Sequence, residues 1–212
     1  MQLIKQDNKL TLSDGKLAIA VDFASPQVKH RTQQGGKELL LKAIGVKKTY
    51  QPTVIDATAG LARDAFILAS HGCSITLLER SHELCELMRD GFTRAMQDAG
   101  LARTIKLMTL IETDSLHYFQ HLNACDYPDV IYLDPMFPER KKSALVKKDM
   151  QLLQALLKHE TSGDELLKVA LNCAKKRVVV KRPRLAPYLL DKKPDVQFTA
   201  KSCRFDVYLL AV

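Results

Sequence analysis

Five short apolar runs alternate with helical stretches from residue 53 onward, and this alternation constrains the fold more than any other feature of the chain. The runs are Thr53–Ala57, Ser74–Glu79, Ile105–Ile111, Val130–Asp134 and Arg177–Lys181. Continuous apolar runs of this length are typical of strands that are buried on both faces, as in a parallel sheet covered by helices. The pattern therefore predicts an α/β domain built from successive βα units.

Signals for the beginning and end of helices lie between these runs. Arg63–Ser70 has a helical pattern and is followed by Gly72, a residue type that commonly ends helices. Ser81 can cap the next helix, and Ser162 with Glu165 has the spacing of a capping box. These signals predict helices that begin next to the two serines.

The end of the chain departs from the βα alternation. Val196–Ala200 and Arg204–Leu210 are strand-like runs with no room for a helix between them. A parallel crossover needs about a dozen residues or more, so the two runs must pair as an antiparallel hairpin. Five βα units followed by such a hairpin are the layout of the class I S-adenosylmethionine-dependent methyltransferase fold, a Rossmann-like α/β fold. A dinucleotide-binding domain would instead continue with a helix and a parallel strand.

The first fifty residues follow another pattern. Apolar and polar residues alternate around Ser13, Asp14 and Gly15, which predicts a β-hairpin. An apolar helical pattern then runs from Glu38 to Ile44. We therefore expect a small N-terminal appendage, made of a hairpin and a helix, over residues 1–50 and a methyltransferase domain over residues 51–212.

Composition bounds the class of protein. A chain of 212 residues that is 46% hydrophobic has enough apolar surface for one full core. No apolar run reaches the roughly 18 residues of a membrane span, and the first ten residues lack the apolar core of a signal peptide. Five widely spaced cysteines form no C-x-x-C pair, so neither a zinc site nor a disulfide framework is expected. We expect a cytoplasmic protein with no membrane, no metal and no obligate protein partner.

Polar residues follow the first predicted strand. In open α/β sheets, ligands bind at the carboxyl ends of the strands. Asp56 ends this strand, Gly60 lies in the turn, and Arg63 and Asp64 open the next helix. The turn lacks the G-x-G-x-x-G spacing of dinucleotide sites, which argues against NAD. It is compatible with S-adenosylmethionine, because a carboxylate such as Asp56 or Asp64 can hold the charged amino group. The alternative is an ordinary strand–turn–helix with a capping aspartate.

The next two strand ends also carry polar groups. Glu79, followed by Arg80, lies about 20 residues beyond the first turn, where an acid suits hydrogen bonds to ribose hydroxyls. Asp114 and Ser115 follow the third strand, where a polar side chain can accept the adenine amino group. The alternatives are a glutamate that faces solvent and a helix cap. Three polar strand ends in succession favour a cofactor site.

The fourth strand ends in Asp134-Pro135-Met136-Phe137, which has the form of the D/N-P-P-Y/F tetrapeptide of amino-group methyltransferases. An exocyclic base amine is a poor nucleophile, because its lone pair is delocalised into the ring. The Asp134 carboxylate and the Pro135 carbonyl can accept hydrogen bonds from the amine, and Pro135 with Pro138 stiffens the loop. Phe137 can stack on a base turned out of its helix or loop. Asp134, Pro135 and Phe137 are the predicted catalytic residues; the alternative is a proline turn.

Basic residues crowd the same edge of the predicted sheet. The predicted RNA contacts are Arg140, Lys141, Lys142, Lys147 and Lys148 after the tetrapeptide, and Lys181, Arg182 and Arg184 after the fifth strand. With a net charge of +8, such placement suits phosphate contacts that hold RNA in register. The alternative is a charged face that contacts only solvent.

In this order, the segments DATAGLARD, LLER, YLDPMFP, KSALVKK, RVVVKRP and RFDVY resemble the ribosomal RNA small subunit methyltransferase J family. The resemblance runs from about Val21 to the C-terminus. It implies methyl transfer from S-adenosylmethionine to the N2 amine of a guanosine in 16S ribosomal RNA, with the rRNA or the small ribosomal subunit as partner. It also implies cofactor contacts at Arg63-Asp64, Glu79-Arg80, Asp114-Ser115 and Asp134.

This chain departs from the family pattern at Ala62, where the family usually has a second glycine. Two other functions stay open: an amino methyltransferase that acts on DNA adenine or a protein amide, and a non-catalytic RNA-binding module. The same tetrapeptide occurs in enzymes that methylate adenine or amide nitrogen, so it does not exclude the first alternative. The second is distinguished by cofactor titration, because a binding module would show no saturable binding of S-adenosylmethionine. Carbon-5 methylation of cytosine is not expected, because it needs a nucleophilic cysteine in the active loop.

Overall fold

The computed structural model describes residues 1–33, 36–135 and 162–210. The strands are β1 (Gln2–Gln6), β2 (Lys9–Ser13), β3 (Ala18–Ile19), β4 (Thr53–Asp56), β5 (Ser74–Glu79), β6 (Met108–Glu112), β7 (Val130–Leu133), β8 (Arg177–Pro183), β9 (Val196–Thr199) and β10 (Cys203–Leu209). The helices are α1 (Pro26–Gln33), α2 (Gly36–Ile44), α3 (Arg63–Ser70), α4 (His82–Met96), α5 (Ala99–Ile105), α6 (Ser115–Gln120) and α7 (Gly163–Cys173). In these ranges, no helix combines the length and the apolar character needed to cross a membrane.

The main sheet has seven strands in the order β6-β5-β4-β7-β8-β10-β9. The neighbours among β4 to β8 are parallel, and β10 is antiparallel to both β8 and β9. This topology confirms the class I methyltransferase fold and the predicted C-terminal hairpin. The chain leaves β4 toward β5 on one side and later places β7 on the other side. Ligands in such sheets bind at this reversal of strand order.

Most helix boundaries agree with the sequence signals. The hydroxyl of Ser81 accepts a hydrogen bond from the backbone N–H of Leu84 at 3.3 Å, so this residue caps α4 as predicted. Ser162 is the cap residue of α7, but its side chain makes no capping hydrogen bond, and the predicted capping box is wrong. The third strand of the main sheet begins at Met108 rather than Ile105, because α5 occupies the residues before it.

A second, three-stranded sheet lies at the N-terminus, with the order β1-β2-β3. β2 and β3 form the hairpin predicted around Ser13, and Leu12 pairs with Ile19. The sequence pattern missed β1, because almost all of its residues are exposed and show no alternation between buried and exposed positions. β1 joins β2 through Asp7 and Asn8, which both have the positive φ angles typical of a tight hairpin turn.

Apolar side chains join the N-terminal segment to one face of the main sheet. The ring of Phe23 stacks on Phe66 of α3 and Phe92 of α4, with centroid distances of 4.8 and 5.6 Å. A guanidinium N–H of Arg94 on α4 donates a hydrogen bond to the carbonyl of Val21. A separate cluster, which includes Leu167 of α7, covers the opposite face of the sheet. The domain boundary near residue 50 stays a prediction.

Candidate active site

Asp56 ends β4 at the reversal of strand order and is only 2% exposed. Its Oδ1 atom accepts a hydrogen bond from the backbone N–H of Thr58 at 3.1 Å. Burial raises the pKa of Asp56 to about 7; the bond from Thr58 opposes this shift, and the negative charges of Asp64 and Asp134 add to it. The first strand end therefore carries a carboxyl group that changes its charge near neutral pH.

The ammonium group of Lys181 joins two of the predicted site residues. Its Nζ atom lies 2.7 Å from Oδ2 of Asp64 and 2.7 Å from Oδ2 of Asp134. The hydroxyl of Tyr132, on β7, donates a hydrogen bond to the same Asp64 oxygen at 2.7 Å. Burial alone would lower the pKa of Lys181, but the two carboxylates together outweigh burial and raise it. Lys181 is therefore a charged group held inside the site.

Asp134 follows β7, and its side chain is 38% exposed. Its backbone N–H donates a hydrogen bond to the hydroxyl of Thr58 at 2.6 Å, which ties the residue to the loop after β4. The carboxylate is thus paired with Lys181 without being buried, so it keeps the accessibility that an acceptor for a substrate amine needs. Pro135 is buried. Met136, Phe137 and Pro138 lie outside the described residues.

Glu79 ends β5 and is 7% exposed, so the alternative of a solvent-facing glutamate is wrong. One carboxylate oxygen accepts a hydrogen bond from the N–H of Gly60 and the other from the N–H of Ser81, both at 2.9 Å. Burial raises the pKa of Glu79, and these two donors oppose the shift. Gly60 and Ala62 both have φ of 54°, the left-handed region, within the loop that Glu79 holds.

Asp114 caps α6, as the alternative interpretation of the sequence proposed. Its Oδ1 atom accepts hydrogen bonds from the N–H groups of Leu116 and His117 at 2.9 and 3.1 Å. The hydroxyl of Ser115 donates a 2.6 Å hydrogen bond to the carbonyl of Ala57, which joins this strand end to that of β4. The structure therefore shows the positioning of both side chains, and contact with an adenine remains a prediction.

The predicted site arginines differ in their exposure to solvent. Arg63, at the start of α3, is partly exposed, and Arg80 and Arg184 are exposed. Arg182 is 4% exposed, and its guanidinium donates a hydrogen bond to the carbonyl of Pro187 at 2.5 Å. The prediction that Arg182 contacts RNA phosphates is wrong for this conformation, because the group is buried in the protein.

The predicted RNA contact at Lys181 also needs correction, because its ammonium points to Asp64 and Asp134 inside the site. The five basic residues after the tetrapeptide lie outside the described residues; they are Arg140, Lys141, Lys142, Lys147 and Lys148. Sequence reasoning missed Tyr132 and Thr58, which hold the predicted carboxylates. Lys181 carried a usable signal, since it follows the apolar run Val178–Val180 in a strand buried on both faces.

The chemistry of this site suits a cationic ligand without phosphates. Three acidic side chains, Asp56, Asp64 and Asp134, interact with one another at this edge of the sheet, and a fourth, Glu79, ends the neighbouring strand β5. A single lysine, Lys181, bonds to two of them. S-adenosylmethionine carries an amino group and a sulfonium, so these residues fit it better than an anionic dinucleotide. Within the described ranges, no group of three or more His, Cys, Asp or Glu residues is arranged to hold a metal ion.

Comparisons with known proteins agree with this interpretation. Residues 1–210 match the model of a family described as "Putative SAM-dependent methyltransferase". The ribosomal RNA small subunit methyltransferase J of Nitrosococcus oceani is 48% identical over 89% of this chain and 75% of its own. The Haemophilus influenzae protein of the same name is 44% identical over 99% of this chain and 83% of its own.

A solved structure shows a similar fold. The SAM-dependent methyltransferase NGO1261 from Neisseria gonorrhoeae superposes with a TM-score of 0.76 and 38% sequence identity. The similarity covers 95% of this chain and 79% of the other. The similarity thus includes the N-terminal segment as well as the main sheet.

Proposed function

The chain belongs to the ribosomal RNA small subunit methyltransferase J family of S-adenosylmethionine-dependent enzymes, and on this premise we propose that it methylates the N2 amine of a guanosine in 16S ribosomal RNA. Its cofactor is S-adenosylmethionine, and its reaction is methyl transfer to ribosomal RNA. The observation that carries the finer proposal is the position of Asp134. This accessible carboxylate follows the fourth strand of the methyltransferase sheet and precedes a buried proline.

The proposed chemistry assigns a role to each acceptor at this position. When bound, S-adenosylmethionine supplies an electrophilic methyl group on its sulfonium. The carboxylate of Asp134 and the carbonyl of Pro135 accept hydrogen bonds from the amine and draw its nitrogen toward tetrahedral geometry. The nitrogen must lose one proton once it has gained the methyl group, and Asp134 holds or passes on that proton. Phe137 stacks on the guanine.

The remaining assignments concern the cofactor. Asp56 or Asp64 holds the amino group of S-adenosylmethionine, and Glu79 accepts hydrogen bonds from its ribose. Asp114 accepts a hydrogen bond from the adenine amino group. Gly60 has no side chain, so the backbone there can approach the cofactor closely. Arg63, Arg80 and Ser115 complete the proposed contacts. These roles are supported by the way β4, β5 and β6 bring the residues to one edge of the sheet.

The proposed RNA surface consists of the basic residues near this edge. Arg184 is exposed after β8, and the five basic residues that follow the tetrapeptide complete the surface. Phosphate contacts of this kind orient the RNA, and contacts between the active site and the base give specificity. The substrate is 16S ribosomal RNA, either naked or in the small subunit.

The test is methylation of unmodified 16S ribosomal RNA by the wild-type protein and by Asp134→Asn and Asp134→Ala variants. We expect N2-methylguanosine in the digested product of the wild-type reaction and a loss of at least about 100-fold in rate for Asp134→Ala. Asp134→Asn keeps an acceptor oxygen and should lose less. Asp129→Asn is the matched control, because Asp129 pairs with Lys176 at the opposite end of β7. It should keep wild-type rates.

Two results would overturn the proposal. An Asp134→Ala variant with wild-type activity would remove the residue from the chemistry. If the wild-type protein methylates DNA or protein and leaves the rRNA unmodified, the substrate is one of the alternatives, DNA adenine or a protein amide.

A further inference from the structure

Lys181 lies between two acidic residues that come from different parts of the chain. It is on β8, Asp64 is on α3, and Asp134 follows β7. The side chain of Lys181 is 21% exposed, and its Nζ atom is 2.7 Å from one oxygen of each carboxylate. The lysine therefore links Asp64, a proposed cofactor-binding residue, to Asp134, the proposed acceptor for the substrate amine.

We propose that Lys181 is a positioning residue for methyl transfer: its ammonium fixes the direction of the Asp134 carboxylate and keeps that carboxylate negatively charged. This inference rests on the proposed role of Asp134. A carboxylate offers about four acceptor sites, so a bond from Lys181 to Oδ2 is compatible with acceptance of an amine N–H by the same group. The lysine acts through Asp134 and touches neither the base nor the methyl group.

The charges around Lys181 explain why a cation is needed there. Asp56 ends β4, which is separated from β8 by β7, and its charge interacts with that of Lys181. Asp64 and Asp134 accept hydrogen bonds from the lysine, and the phenol of Tyr132 donates to Asp64. Neighbouring carboxylates disfavour one another's ionisation, and a cation within hydrogen-bond distance favours it. Without Lys181, Asp134 would face two other acidic groups with no compensating charge, which disfavours its ionised form.

The direction of the carboxylate matters as much as its charge. Asp134 is partly exposed, and an exposed aspartate samples several rotamers. The bond to Lys181 and the bond from its backbone N–H to Thr58 hold both ends of the residue. Misplacement of a reacting group by about 1 Å can cost roughly 100-fold in rate, so this restraint has a measurable consequence for methyl transfer.

The chain contains a matched pair for the test. Lys176 immediately precedes β8 and forms a 3.0 Å ion pair with Asp129 at the amino end of β7. It therefore has the same type of partner and lies next to the same two strands, but at the edge of the sheet opposite to the site. Lys176→Met and Lys181→Met remove the same charge and the same kind of ion pair.

The experiment compares wild type, Lys181→Met, Lys181→Arg and Lys176→Met in steady-state methylation of unmodified 16S rRNA across a range of pH. We expect Lys181→Met to lower kcat by about 10- to 100-fold with saturating S-adenosylmethionine and to shift the acid limb of the kcat profile to higher pH. Lys181→Arg should restore the acid limb, since it keeps the charge. Lys176→Met should match wild type in kcat and in pH profile.

A second readout does not depend on activity. The carboxyl carbon of Asp134, assigned by NMR with the help of Asp134→Asn, should titrate at higher pH in Lys181→Met than in wild type. Lys181→Gln replaces Lys181→Met if the latter does not fold. An unchanged Asp134 titration, or an unchanged kcat profile in an active enzyme, overturns the positioning role. If wild type shows no rRNA methylation at all, the proposed function fails instead, and the NMR titration still decides the role of Lys181.

Discussion

A carboxylate oxygen of Glu79 accepts a hydrogen bond from the backbone N–H of Gly60 at 2.9 Å, and this bond joins the end of β5 to the loop after β4. The second oxygen of Glu79 accepts from Ser81 at the same distance. A residue chosen from the sequence as a ribose ligand therefore also fixes the shape of the loop that is proposed to hold the cofactor.

We predict that Glu79→Gln weakens both stability and cofactor binding. A glutamine amide nitrogen cannot accept, so one of the two N–H donors loses its partner at a cost of about 1–3 kcal/mol. Loss of the buried charge offsets part of this, so we expect a net loss near the lower value, with weaker binding of S-adenosylmethionine. Urea unfolding and calorimetric titration measure the two effects. Glu86→Gln, on α4 at a partly exposed position, is the control and should change neither.

We predict that Asp56 makes the protein less stable as the pH rises. Its ordinary pKa is 3.8, and burial raises it to about 7 in the folded protein. The folded state therefore keeps a proton that the unfolded chain releases, so its stabilising effect is complete below about pH 4 and is lost as the pH rises to about 7.

The Asp56→Asn variant should lose this dependence, which amounts to a few kcal/mol, while its side-chain oxygen still accepts from Thr58. Urea unfolding of both proteins between about pH 5 and pH 8 measures the difference. Stabilities that change in parallel for the two proteins would show that Asp56 does not titrate in this range.

We predict that position 62 accepts glycine and rejects valine. Ala62 is fully buried and has φ of 54°, a region that costs a residue with a side chain about 1–2 kcal/mol. Ala62→Gly relieves this strain but loses a buried methyl group, so stability should stay within about 1 kcal/mol of wild type. Ala62→Val adds both strain and volume and should lose about 2–4 kcal/mol. The midpoints of urea unfolding measure the stability of both variants. Equal losses of stability would contradict the argument from the φ angle.

We predict that Gly91→Ala destabilises the protein although alanine favours helices. An added Cβ would lie 2.6 Å from Cγ1 of Val21, where the N-terminal segment packs on α4. Overpacking of this kind costs about 1–3 kcal/mol, which exceeds the gain of about 1 kcal/mol in helix propensity. Thermal unfolding checks the sign, and a Val21→Ala/Gly91→Ala double variant should lose less than the sum of the two single variants.

We predict that charge reversal at Lys141 and Lys142 weakens RNA binding in a salt-dependent way. If each lysine neutralises one phosphate, the slope of log K against log salt should become less negative by about 2. Filter binding of 16S rRNA over a range of salt concentrations measures this slope. Lys47→Glu/Lys48→Glu is the control, since both lysines are exposed and precede the amino end of β4. Equal effects of the two double variants would mean that the RNA responds only to net charge.

The sequence by itself determined the succession of the main-sheet strands along the chain and the position of the tetrapeptide. The buried strands carry continuous apolar runs because both of their faces are covered, and the last two runs had no space for a helix, so local patterns were sufficient. β1 had no such pattern, because its side chains are almost all exposed. The start of β6 was placed too early, because the apolar residues of α5 continue directly into the strand.

Only the tertiary structure decided which charged side chains meet. Lys181 and Arg182 are adjacent in the sequence and were both predicted to contact RNA, yet one bonds to Asp64 and Asp134 and the other is buried beside Pro187. Successive residues of a strand point to opposite faces, and the partners of Lys181 lie 117 and 47 residues away in the chain. Contacts across such distances depend on how the strands are ordered in the sheet, and no local pattern of residues contains that information.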